Sequence, residues 1–149
     1  MIYYKNTKFQ GKLQFSNNID CIMENRTKPI KYDLEDRTFE FAKSCREFVK
    51  KLPKTLSNIE YSKQLIRASG SQAANYIEAC EAISRNDFWH RIKICRKEAK
   101  ESRLWLRLCE PVLNDRETIK ELEELTQEAF ELTMIFNSIA KKAPKSSDN

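Results

Sequence analysis

From Leu34 onward, apolar side chains recur every three to four positions, the period of an amphipathic helix, and the period is broken three times. The pattern predicts helix 1 over 33–52, helix 2 over 58–82, helix 3 over 84–110 and helix 4 over 114–142. The breaks carry helix punctuation: Pro53, then Ser84, then Pro111 with Asn114. Asp33, Ser57 or Asn58, Ser84 and Asn114 are the expected N-caps, because a short oxygen-bearing side chain can accept from an otherwise unpaired first-turn N–H. Long helices joined by short turns predict an all-α fold, an antiparallel up-down-up-down four-helix bundle. Residues 1–30 show no sustained period and read as a flexible basic N-terminal arm, and 143–149 as a disordered tail.

Placing successive residues about 100° apart sorts each helix into faces. Helix 1 turns Leu34, Phe41, Cys45, Phe48 and Leu52 inward. On helix 2 the expected core stripe is Ser62, Leu65, Ser69, Ala73, Tyr76, Cys80 and Ile83, with Arg67, Ser71, Asn75, Glu78 and Ala82 opposite it. Ala68, Gly70, Ala74 and Ala79 fall on the flanks, where small side chains let neighbouring helices approach. Glycine costs roughly 1 kcal/mol against alanine inside a helix, so a close contact at Gly70 is the expected offset. Helix 3 turns Phe88, Ile92, Cys95, Ala99, Ser102 and Leu106 inward; helix 4 turns Ile119, Leu122, Thr126, Ala129, Thr133, Phe136 and Ala140.

Charge changes the picture. The net charge of +5 over 149 residues sits in the ends: 1–32 carry +4, 141–149 carry +2, and 33–140 sum to −1. Overall basicity is therefore weak evidence for a nucleic-acid partner, and its distribution within the helices matters more. Ser84–Cys109 carries +5 and Asn114–Ala140 carries −5. One face of helix 3 holds Arg85, Trp89, Lys93, Arg96, Lys97, Lys100, Arg103 and Arg107 with no acid, over about 33 Å. Beside it runs a mixed row of Asp87, Ile94, Glu98, Glu101, Trp105 and Leu108. Helix 4 lines up Glu117, Glu121, Glu124, Glu128 and Glu131. The basic stripe has three readings: a solvated face partly balanced by helix 4, a phosphate-binding face with Trp89 available for base stacking, or a surface pairing with acidic stripes of other subunits.

Enzyme chemistry finds little footing. His90 is the single histidine and no E-x-x-H occurs, so neither a histidine triad nor a di-metal carboxylate bundle is indicated. Two glycines cannot build a phosphate-cradling loop. The five cysteines are odd in number and lack C-x-x-C spacing, which points to packing in a reduced, cytoplasmic protein and to no metal site. No apolar run approaches the ~18 residues of a membrane span. A non-enzymatic protein without cofactor is the expectation.

The segments "KYDLEDRTFEFA" and "QLIRASGSQAANYIEACEAISRNDFWHRIKICRKEAKESRLWLRL", with the acidic fourth helix, resemble the 23S rRNA-intervening sequence protein family over about 31–140. The family's motif positions fall here on Arg67, Ser71, Asn75, Tyr76, Glu78, Asp87, Phe88, His90, Lys97, Glu98, Glu101 and Trp105. Arg91 stands where a lysine is usual, and Ala68 where a serine is usual. The resemblance implies a small bundle assembled into a ring-shaped homopentamer. It also implies kinship in fold with the accessory variability protein of diversity-generating retroelements, a basic partner of reverse transcriptase and nucleic acid. The expected partners are therefore copies of the chain itself, RNA or DNA, and a nucleic-acid-processing protein. Asn75 and Glu78, with Glu98, Glu101 and Trp105, are expected to meet a neighbouring helix or subunit, with Lys97 or Arg67 as partners for the polar pair.

Overall fold

The computed structural model describes residues 34–144; the expected 1–30 arm, the Asp33 cap and the tail beyond 144 lie outside them. Within the described residues the chain forms four helices and no strand: α1 Leu34–Lys51, α2 Leu56–Cys80, α3 Arg85–Leu108 and α4 Arg116–Ala140. Each helix packs on the next, and α1 packs on α4, which closes a four-helix bundle around one core.

The α1 core is the one its period predicts: Leu34, Phe41, Cys45, Phe48 and Leu52 are buried, joined by Thr38. The α3 core also follows the pattern, with Ile92, Cys95, Ala99, Ser102 and Leu106 buried and Phe88 partly so. On α2 Leu65, Ser69 and Tyr76 are buried as expected, and on α4 Ala129 and Phe136, but the rest of each core stripe is rotated to one side of its expected position. Ala68, Gln72 and Ala79 are buried on α2, whereas Cys80 is exposed and Ile83 is 95 % exposed beyond the helix end. Leu125 and Leu132 are buried on α4, whereas Ile119, Leu122, Thr126 and Thr133 are half-buried. The cause is shared. A helix touching two neighbours has an apolar arc wider than its core stripe, and periodicity cannot say which part of that arc faces the centre. Gln72, wholly buried with its amide unpartnered among the described residues, is a polar residue that no hydrophobic pattern would place inside.

Ser84 caps α3, its Oγ accepting from the Asp87 N–H at 3.1 Å. The other two caps each differ from expectation. Thr55 caps α2, accepting from the Asn58 N–H at 3.2 Å, and Asp115 caps α4, accepting from the Thr118 N–H at 3.0 Å. Asp115 also takes the Thr118 hydroxyl at 2.6 Å, and these bonds hold its carboxyl below the usual aspartate range. Asn58 has a different role. It is 1 % exposed, its Nδ2 donates to the carbonyls of Pro53 and Glu110 at 3.0 and 2.9 Å, and its Oδ1 accepts from the Glu110 N–H at 2.9 Å. One amide thus ties the α1–α2 connection to the end of α3.

Gly70 corrects another expectation. A Cβ built there meets nothing within 4 Å, so among the described residues no close approach offsets the cost of a mid-helix glycine. Gly70→Ala is therefore expected to stabilise the bundle by up to ~1 kcal/mol, raising Tm by several degrees in a thermal melt followed by circular dichroism. A fall in Tm would show that the position is constrained.

Candidate nucleic-acid interface

The polar residues near the C-terminal end of α2 face α3 of the same chain. The partner of Asn75 and Glu78 is Arg91, in place of the expected Lys97 or Arg67. Arg91 pairs with Glu78, donates from Nη1 to Asn75 Oδ1 at 3.3 Å, and lies 3.5 Å from Asp87. Asn75 in turn donates to the carbonyl and hydroxyl of Ser71 at 2.9 and 3.3 Å. The α2 rotation explains the difference, because it moves Asn75 and Glu78 from the far face to the α3 flank. Trp105 also packs within the chain, stacked on Tyr61 of α2 with ring centroids 6.1 Å apart. Glu98 and Glu101 pair with Lys97 on their own helix at 3.2 and 3.6 Å, and those bonds, Glu98 first, raise the lysine's pKa. Arg67 is exposed, as is His90.

The basic face of α3 divides in two. Lys97 leaves it, because Glu98 and Glu101 take its charge. Among the described residues the ion pairs of α3 are made by Arg91 and Lys97 alone, so Arg85, Lys93, Arg96, Lys100, Arg103 and Arg107 have no carboxylate partner there. Arg96 leans onto α4 and donates to Asn137 Oδ1 at 3.3 Å, a neutral partner that leaves its charge intact. Arg103 lies over the Phe130 ring at 4.7 Å, a cation–π contact that fixes the guanidinium without neutralising it. Lys93, Lys100 and Arg107 are exposed and repeat at intervals of about 10 Å along the helix.

The acidic stripe of α4 does not balance this face. Glu128 grips Arg37 of α1 in a fork at 2.7 and 2.8 Å, Glu131 joins it at 2.6 Å, and Glu121 takes Lys51 at 2.7 Å. Glu124 pairs with Lys120 on α4 itself at 3.5 Å. Glu121, Glu128 and Glu131 thus turn toward α1, and Glu123 is the α4 acid that shares a cleft with α3 cations, Arg103 and Arg107, without pairing with either among the described residues.

Trp89 is a poor stacking platform. It is half-buried, meets Phe88 edge-on with centroids 4.9 Å apart, and its indole N–H is turned inside. The thiols of Cys45 and Cys95 are pushed up to about 12, and that of Cys109 to about 11, in each case chiefly by burial, so they are packing groups. Glu78, Glu98 and Glu101 form no carboxylate cluster: Glu78 belongs to Arg91, and Glu98 and Glu101 to Lys97. No helix among the described residues is long and apolar enough to cross a membrane.

These features define a four-helix bundle with one un-neutralised basic face. The chain matches the family described as 23S rRNA-intervening sequence protein over residues 31–138, and it belongs to that family. It is similar to a crystal structure of a protein of unknown function from the S23 ribosomal protein family of Bacteroides thetaiotaomicron. The identity is 31 % and the TM-score 0.62, with 74 % of this chain and 100 % of the other covered. A search of curated proteins finds no match.

Proposed function

We propose that the protein is a non-enzymatic cytoplasmic scaffold that binds the phosphate backbone of nucleic acid, structured RNA in particular, through the basic face of α3. The observation that carries this reading is the set of six α3 cations without a carboxylate partner among the described residues, beside a helix whose Glu121, Glu128 and Glu131 are engaged by α1. Backbone binding fits better than base stacking, since Trp89 is turned inward. In the proposed assembly the helices run up-down-up-down, each antiparallel to the next. Contacts such as Arg96 with Asn137 and Arg103 with Phe130, which climb α3 while descending α4, support that order. Family membership supports a ring-shaped homopentamer. A ring would present the stripe several times and raise avidity.

A second reading is a protein-interaction adaptor, for instance for a nucleic-acid-processing protein. The exposed row of Ile59, Ile66 and Ile77 on α2 favours it. Pairing of basic and acidic stripes between subunits is less well supported, because Glu121, Glu128 and Glu131 already hold α1.

The test is light scattering for the assembly mass, followed by titration with labelled RNA and DNA duplexes at two salt concentrations. The expected result is a pentamer whose affinity falls steeply between about 50 and 200 mM salt, by roughly 10³-fold or more if six or more phosphates are engaged. Absence of binding at low salt would overturn the nucleic-acid reading and direct attention to the α2 row.

A further inference from the structure

At one end of the basic face lies a cleft of about 350 Å³ between α3 and α4, lined by Arg103, Arg107, Leu122, Glu123, Thr126 and Gln127. Its charges are unusual. Arg103 is held from one side by Phe130 while its Nε is buried without an acceptor, and Arg107 is exposed. Glu123 faces the same cleft, yet among the described residues it pairs with neither arginine, and the lysine one turn before it, Lys120, goes to Glu124. Gln127 sends its amide N–H to Glu131 at 3.3 Å. Two cationic donors and one anionic acceptor therefore share a single opening with no bond among them.

A carboxylate repels a bare phosphate, so a site built only for backbone charge gains nothing from Glu123. The combination suits a ligand that places a hydrogen-bond donor beside its phosphate. A ribonucleotide unit does so: the 2′-hydroxyl is a donor next to the 3′-phosphate, and deoxyribose lacks it. We infer that this cleft distinguishes RNA from DNA, with Arg103 and Arg107 taking a backbone phosphate and Glu123 accepting a hydrogen bond from the adjacent 2′-hydroxyl. The inference rests on the proposed nucleic-acid function and assigns its specificity to one residue. Arg103 and Arg107 form charge-assisted bonds with phosphate oxygens, and the Thr126 hydroxyl lies in the same cleft as a further donor. Leu122 offers an apolar surface to the sugar.

The experiment uses the full chain and three probes of one sequence: an RNA duplex, the same duplex with 2′-fluoro riboses, and a DNA duplex. The 2′-fluoro duplex keeps the A-form groove but has no 2′ donor, so groove shape and hydroxyl recognition are separated. The wild type is expected to bind RNA roughly tenfold more tightly than 2′-fluoro RNA, the scale of a hydrogen bond to a charged group. Glu123→Ala should erase that preference, bringing RNA down while the 2′-fluoro and DNA probes hold or tighten as repulsion is removed. Arg103→Ala with Arg107→Ala should weaken all three probes together. Equal wild-type binding of RNA and 2′-fluoro RNA, or a preference that survives Glu123→Ala, overturns the inference while leaving the proposed function standing. Failure of all three probes to bind the wild type at low salt overturns the function itself.

Discussion

Replacing Arg96, Lys100 and Arg103 with glutamate is expected to lower affinity for nucleic acid by at least ~100-fold at low salt and to flatten its salt dependence. All three residues belong to the part of α3 that has no carboxylate partner among the described residues. Each reversal removes a counter-charge to phosphate and adds a repulsion, and copies in an assembly multiply the effect. The salt slope should fall by about 0.9 for each phosphate that is no longer neutralised, a signature that unfolding alone would not give. The cost to the bundle is small, because the substitutions remove only a single bond from Arg96 to Asn137 at 3.3 Å and the stacking of Arg103 on Phe130. Reversal of Lys43, Lys50 and Lys63 supplies the control. Those lysines are exposed on α1 and α2, pair with glutamates on their own helices and lie outside the α3 row, and reversing them should leave binding nearly unchanged. Comparable weakening in the two triple variants would show that binding follows net charge and that the α3 face has no special part in it.

Asn58→Ala is expected to be the most destabilising single polar substitution in the described chain. Three backbone groups at one end of the bundle lose their partner at once: the carbonyls of Pro53 and Glu110 and the N–H of Glu110. The site is nearly closed to water, so a buried polar group left without a bond costs about 1–3 kcal/mol. Some relaxation toward solvent will recover part of that, and a net loss of about 3 kcal/mol is a reasonable expectation, a fall of roughly 10 °C in Tm. Asn58→Asp should fare no better, since it keeps the acceptor, removes both donations and places a charge among carbonyls. Circular dichroism melts decide it, and a change under about 2 °C would show that the tie is dispensable.

Much of the fold was legible along the chain. The α1 and α3 cores follow directly from their apolar periods: the residues repeating at three- to four-residue spacing, Leu34, Phe41, Cys45 and Phe48 on α1 and Ile92, Cys95, Ala99 and Leu106 on α3, are the buried ones. Ser84 was identifiable as a cap because it stands alone between a helix end and a helix start. The α2 and α4 caps fell elsewhere because Thr55 and Asp115 are also cap-forming residues, and only the packed turns choose between neighbours. Asn58 shows why the choice matters: once Thr55 takes the cap, Asn58 is available to bridge to Glu110.

The candidate face was legible as a row of like charges, but its state of neutralisation was not. Charge sums of +5 and −5 on adjacent helices suggest mutual balance. The rotation of α4 about its own axis turns Glu121, Glu128 and Glu131 to α1 and leaves the α3 cations other than Arg91 and Lys97 without a carboxylate partner among the described residues. The same kind of rotation on α2 turns Asn75 and Glu78 onto Arg91. Spacing along a single helix was enough to establish which segments are helical, which residues of α1 and α3 are interior, and where positive charge accumulates. Helix packing alone selected which acids meet which bases and which tryptophan is covered. Those outcomes depend on the rotation of each helix against two neighbours at once, and that angle is set by how side chains of different helices interlock.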